Sequence, residues 1–135
     1  MNVKKLILSS FGFKYGMPQD ANYVFDVRFI PNPFYVADLK LLSGMDEPVR
    51  TYLKSFEETG LFLTSSTFFL DFVIPRHLSG GEKALHVALG CTGGRHRSVA
   101  FAEWLGEYYG GVSTGIGVDF GVELRHRDVH KTPEA

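Results

Sequence analysis

One short stretch gathers the residues best suited to chemistry. Gly90-Cys91-Thr92-Gly93-Gly94-Arg95-His96-Arg97-Ser98 combines a thiol, two hydroxyls, a glycine pair, an imidazole and two guanidinium groups. It follows an apolar run, Ala84 to Leu89, and precedes Val99, Phe101, Ala102 and Leu105 at helical spacing. That order predicts strand, glycine-rich turn, helix. The first N–H groups of a helix have no intrahelical acceptor and carry the positive end of its dipole, so such a turn attracts an anion. Gly93 and Gly94 let the backbone come close to a ligand. Arg95 and Arg97 add charge, and a guanidinium grips phosphate in two-pronged fashion. Thr92, His96 and Ser98 supply further donors. The loop is therefore expected to bind phosphate or a related anion.

Two chemistries fit the same residues. Cys91, five residues, Arg97 and then Ser98 match the spacing of the phosphate loop of cysteine-dependent tyrosine phosphatases. There a helix N-terminus and cations lower the thiol pKa, the arginine holds the phosphoryl oxygens and the hydroxyl stabilises the leaving thiolate. Gly90 stands where those enzymes usually carry a histidine. No aspartate on an open loop offers itself as general acid: Asp26 lies in a constrained segment and Asp71 in a predicted helix. The alternative is binding without catalysis, with Cys91 merely a small residue in a tight turn.

The elements that must position this loop are those of an α/β domain. The sequence predicts strands over Leu6 to Phe13, Tyr23 to Val27, Ala84 to Leu89 and Val118 to Leu124. Pro31-Asn32-Pro33 fixes an extended connection. Asp46 is placed to cap a helix bearing Val49, Tyr52, Leu53 and Phe56 on one face, ended by Gly60. A second helix is expected over 61 to 74, stopped by Pro75, with a turn from Leu78 to Glu82. The third should end near Gly110-Gly111, followed by a small-residue segment, Val112 to Gly117. The tail, His130 to Ala135, reads as polar and frayed. Strands alternating with helices imply one domain with a mostly parallel sheet of about four strands. In such sheets ligands lie beyond the carboxyl ends of the strands, at a topological switch point. Those ends deliver Lys14, then Asp26 and Arg28, then the Cys91 to Ser98 loop, then Arg125, His126 and Arg127. If all four strands are parallel, these groups can converge on one pocket.

Composition narrows the partners. A net charge of −1 gives no global field toward nucleic acid or membrane, so any such contact needs a local patch. The single cysteine excludes an internal disulfide framework and points to a reducing, cytoplasmic setting. No apolar run approaches the ~20 residues of a membrane span. Histidine and cysteine lack metal-ligand spacing, so no metal and no cofactor is expected. The Phe-rich stretch 61 to 74 is expected to leave an apolar patch able to support a homo-oligomer.

Four segments occur in the order and spacing of a known domain: Phe11-Gly-Phe-Lys14, Phe25-Asp-Val-Arg-Phe-Ile-Pro-Asn-Pro33, Gly90 to Val99, and Arg125-His-Arg127. Over residues 9 to 131 the chain resembles the C-terminal domain of the RapZ family of nucleotide-binding RNase adapters. The resemblance implies a fold similar to a phosphofructokinase subdomain. It implies a pocket built partly from Thr92, Gly93 and Arg97 for a sugar phosphate such as glucosamine-6-phosphate; Arg28 and Asn32 are further candidates for ligand contact, Arg28 alternatively pairing with Asp26. It also implies a contribution to small-RNA binding, for which Arg125, His126, Arg127 and Lys131 are the candidates. The family joins this domain to a P-loop domain, and no Gly-x4-Gly-Lys-Ser/Thr occurs here. Phe34 stands where some RapZ proteins carry a ligand-contacting histidine, Arg95 where some carry lysine. The tail after Arg127 is less basic than in RNA-binding relatives.

Overall fold

The computed structural model describes residues 4–112 and 116–133. Four strands form one sheet: β1 (Lys5–Gly12), β2 (Tyr23–Asp26), β3 (Ala84–Cys91) and β4 (Gly121–His126). Their order is β2-β3-β1-β4, and every neighbouring pair is parallel. Three helices accompany them: α1 (Glu47–Lys54), α2 (Glu57–Ser79) and α3 (Arg97–Val112). The α/β class and the parallel sheet are as expected.

Side-chain alternation divides the sheet into two unlike faces. Leu6 and Leu8 of β1 and Leu85, Val87 and Leu89 of β3 join one core with Leu70, Ile74 and Leu78 of α2 and Phe101, Leu105 and Tyr109 of α3. Tyr23 and Phe25 of β2 add edge-to-face contacts with Phe69 and Phe62 of α2. The intervening positions, Ile7, Ser9, Phe11, His86 and Ala88, are buried on the other face and stand outside this cluster, apart from the helices.

Handedness explains the division. β2 to β3 and β3 to β4 move one way across the sheet, and both connections pass over the helical face. β1 to β2 moves the opposite way, so a right-handed crossover must pass over the opposite face. The connecting segment 13–22 does so, with a short 3-10 turn at Phe13–Tyr15. It is pinned there by Asn22, whose N–H donates to the His86 carbonyl (2.8 Å) and whose Oδ1 accepts from the His86 N–H (2.9 Å). β1 and β3 are thus adjacent strands whose connections leave in opposite directions. The crevice between their carboxyl ends is the switch point.

Several boundaries differ from the sequence-based expectation. Gly60 does not end α1. The break falls at Ser55-Phe56, and Gly60 lies in the first turn of α2, where Thr59 Oγ1 donates to the Leu53 carbonyl (2.6 Å). Pro75 does not stop α2. It removes one helical N–H, but Ile74 and Leu78 on either side are fully buried, and that burial carries the helix on to Ser79. Asp46 occupies the N-cap position of α1, yet its carboxylate takes the Ser43 N–H (2.8 Å) instead of a helix amide. β4 starts at Gly121, not Val118, because pairing with β1 begins at Lys5. Phe120 is buried in the core before the strand opens. α3 runs through the Gly110-Gly111 pair to Val112. Of the small-residue segment expected after it, residues 113–115 lie outside those described. Of the tail expected over 130 to 135, Thr132 and Pro133 lie beside the Cys91 loop. Residues 134–135 lie outside those described.

Candidate functional site

The turn between β3 and α3 sits at the switch point because two glycine backbones interlock there. A Cβ on Gly12 would stand 2.5 Å from the Gly93 carbonyl carbon and 2.9 Å from the Gly94 nitrogen. Gly94 has φ +75°, a conformation that other residues adopt only with strain. The end of β1 and the turn after β3 therefore touch backbone to backbone.

Arg97 opens α3 and is only 4% exposed. Its Nη1 donates to the carbonyls of Ile30 (2.9 Å) and Arg28 (3.1 Å), and its Nη2 to Thr92 Oγ1 (3.4 Å). Its Nε, also buried, meets no hydrogen-bond acceptor among the described residues. Burial pulls the guanidinium pKa down from its usual value, with Cys91 and Asp26 counteracting; a group of this type remains charged. Cys91 is buried directly beside it. The Ser98 N–H donates to the sulfur (3.4 Å), and the thiol lies 3.2 Å from the Ser98 hydroxyl oxygen.

Asn32, Cys91, Gly93, Arg95, His96 and Arg97 line one small cavity together with Thr132 and Pro133 of the C-terminal segment. Its volume is about 10 Å³, room for a single water. Asn32 Oδ1 caps the 3-10 turn Pro33–Tyr35 by accepting the Phe34 N–H (3.1 Å). His96 Nε2 lies 3.0 Å from the Leu39 carbonyl. Burial lowers the pKa of His96, so the ring is neutral at pH 7 and donates to that oxygen. Arg95 acts as a clamp. Its Nε donates to the Leu42 carbonyl (2.9 Å), Nη1 to that of Val129 (2.9 Å) and Nη2 to that of Leu41.

The remaining charged groups do not converge on the cavity. Arg28 forms a fork with Asp26 (2.7 Å at the shortest) and lies 4.1 Å over the Phe13 ring. Its hydrogen bond is the main cause that holds the Asp26 carboxyl below its usual pKa. Arg125 pairs with Glu123 on the helix-free face. His126 is held between Ser10 Oγ (2.6 Å) and Glu103 (2.7 Å) on the helical face. Arg127 and Lys131 both pair with Asp128, which is fully buried and accepts the Gly12 N–H (2.8 Å). Sequence reasoning missed Asp128. Its neighbours Arg127 and Lys131 drew attention as free cations, whereas their charges are turned inward on this carboxylate.

The fold is a parallel α/β domain that carries an arginine-bearing glycine turn at its switch point. The chain belongs to the RapZ C-terminal domain family, whose sequence profile matches residues 4–130. It is 48% identical over 122 residues to a nucleotide-binding protein of Bacillus cytotoxicus, covering 90% of this chain and 39% of that protein. A nucleotide-binding protein of Staphylococcus aureus strain JH9 is likewise 48% identical, over 123 residues, 91% of this chain and 39% of that one. The chain thus spans about two-fifths of these relatives' length. Among the described residues no helix is long and apolar enough to cross a membrane, and no group of three potential metal ligands gathers.

Proposed function

We propose that this domain is a non-catalytic binding module for a phosphorylated small molecule, a sugar phosphate such as glucosamine-6-phosphate or a nucleotide. The observation that carries the reading is Arg97, a buried cation at a helix N-terminus with an unpartnered Nε beside the cavity. A phosphoryl oxygen would satisfy that N–H and meet the first amides of α3. Two relatives bear the name nucleotide-binding protein, which agrees with a phosphate-bearing ligand. A phosphoryl group is larger than one water, so the lining of the cavity must adjust to admit it. Calorimetric titration with glucosamine-6-phosphate, a nucleoside monophosphate and inorganic phosphate tests the proposal. Binding by at least one, lost in Arg97→Ala, is the expected result; binding by none, or unchanged binding in the variant, refutes it.

A second reading is a cysteine phosphatase, favoured by the Ser98 contacts to the Cys91 sulfur and by Arg97 at the matching spacing. The burial of Cys91 and the pairing of Asp26 with Arg28 weigh against it. It predicts turnover of an aryl phosphate that disappears in Cys91→Ser; absence of turnover in the wild type removes it. A third role, adaptation to RNA, would use Arg125, His126, Arg127 and Lys131. Each of these already faces a carboxylate, so RNA phosphates would have to compete with Glu123, Glu103 and Asp128.

A further inference from the structure

Two buried side-chain nitrogens have no hydrogen-bond partner among the described residues. One is Arg97 Nε. The other, His86 Nδ1, lies on the helix-free face of the sheet, away from the Cys91 loop. His86 and Ser9 occupy inner positions of that face and are each 7% exposed. Ser9 Oγ is 2.7 Å from His86 Nε2. In the tautomer where the hydroxyl donates to Nε2, Nδ1 is a donor. The nearest charged oxygen, Asp20 Oδ1, is 3.6 Å away, beyond a hydrogen bond. A buried donor left without an acceptor costs free energy that a ligand atom can recover.

Around this group lies a cavity of about 200 Å³, lined by Phe11, Pro18, Asp20, Arg125 and Arg127 as well as Ser9 and His86. Phe11 and Pro18 give it an apolar wall. Arg125 stands opposite Ser9 in the β1–β4 register, and both arginines are partly exposed at the rim, paired with Glu123 and Asp128. The volume falls below that of sites for drug-sized ligands and suits about ten non-hydrogen atoms. Ser9, His86 and Asp20 have the composition of a nucleophilic triad, but acyl transfer also needs free donors for an oxyanion. β1 is paired on both sides through Ser10, so the amides flanking Ser9 belong to the ladders. The geometry fits binding, not catalysis.

We propose that this pocket is a second small-molecule site, for an organic acid with a short apolar body. Its acid group lies between Arg125 and Arg127, and an acceptor atom takes the His86 Nδ1 proton as the exposed Asp20 turns outward. The test titrates 4-hydroxybenzoate and, separately, 4-hydroxyphenyl phosphate, whose ring hydroxyl supplies the acceptor, into the intact chain, following backbone amides and histidine imidazoles by NMR. We expect Ser9 and His86 resonances to move with a Kd in roughly the millimolar range. Whichever probe binds more tightly distinguishes a carboxylate from a phosphate ligand. Arg125→Ala, a surface change checked for folding by thermal melting, should weaken binding about tenfold. Shifts confined to residues 92–98, no shift at His86, or equal affinity in Arg125→Ala would overturn the proposal.

Discussion

Gly12→Ala tests whether the switch-point crevice is what shapes the anion loop. The added methyl would lie 2.5 Å from the Gly93 carbonyl carbon, 2.6 Å from its oxygen and 2.9 Å from the Gly94 nitrogen. Ordinary carbon contacts begin near 3.5 Å, so the turn must retreat by about 1 Å. Every atom met is backbone, and no side chain can rotate aside. The Gly12 N–H is also held by buried Asp128 (2.8 Å), which resists movement of the strand end. Overpacking of this kind costs about 1–3 kcal/mol, and 1 kcal/mol shifts Tm by roughly 4 °C at this chain length. A displacement of 1 Å at a preorganised site can weaken function about a hundredfold, by analogy with catalytic positioning. Gly60→Ala is the control. It lies in the first turn of α2 with nothing within 4 Å of the new methyl, and should stabilise by about 0.4–1 kcal/mol. Denaturant unfolding and phosphate titration of both variants give the answer. A Gly12→Ala protein as stable as wild type, with unchanged anion affinity, would show that the crevice does not constrain the loop.

Arg97→Ala should raise the Kd for the phosphorylated ligand by at least thirtyfold, since truncating one side of a desolvated charge pair costs about 2–5 kcal/mol. Arg97→Lys should recover only part of this in calorimetry, because lysine cannot reach the Arg28 and Ile30 carbonyls and the ligand together. Asp128 and His96 both have lowered pKa values in the fold, Asp128 because its hydrogen bonds from Arg127, Gly12 and Lys131 outweigh the opposing effect of burial. In each case the unfolded chain binds more protons, so stability rises with pH. The His96 contribution should be present above about pH 6.5 and fall away below it. That of Asp128 should persist until pH drops below about 4. Urea midpoints from pH 3 to 8 should show both steps, with the upper one missing in His96→Gln. Phe68, 82% exposed, with Phe72 and Leu61 forms an apolar stripe on α2; if the stripe joins copies of this chain, Phe68→Ser should lower the mass seen in sedimentation without changing Tm.

The legible part of the site was the part written in local chemistry. Glycines, hydroxyls and arginines between an apolar run and a helical pattern placed the turn correctly on β3 and α3. Strands alternating with helical patterns also imply the parallel sheet, although β1 and β2 are joined by residues 13–22 without an α-helix. What the sequence concealed depends on distant partners. Arg95 looks like a ligand group, yet its three donors go to the carbonyls of Leu41, Leu42 and Val129. Arg127 and Lys131 look like free cations until Asp128 is found buried between them. Pro75 and Gly60 mislead because tertiary burial of Ile74 and Leu78 and the Thr59 bond to Leu53 override local propensity.

Those same distant partners place the C-terminal segment beside the cavity. Arg95 holds Val129, and Asp128 ties the segment to Gly12, Arg127 and Lys131, so Thr132 and Pro133 are held beside the cavity from an anchored base. The cavity's volume of about 10 Å³ has room for one water. If a phosphorylated ligand binds there only once Thr132 and Pro133 move aside, its Kd is the intrinsic value divided by the open fraction. Removing residues 130–135 deletes Lys131, Thr132 and Pro133 but keeps Arg95, Asp128 and Arg97. If opening is unfavourable by about 1.4 kcal/mol, truncation should tighten phosphate binding tenfold. If Thr132 and Pro133 instead supply contacts to the ligand, truncation weakens binding. The sign of the change therefore separates a gate from a wall, and only a gate lets whatever engages the tail control the affinity of the loop.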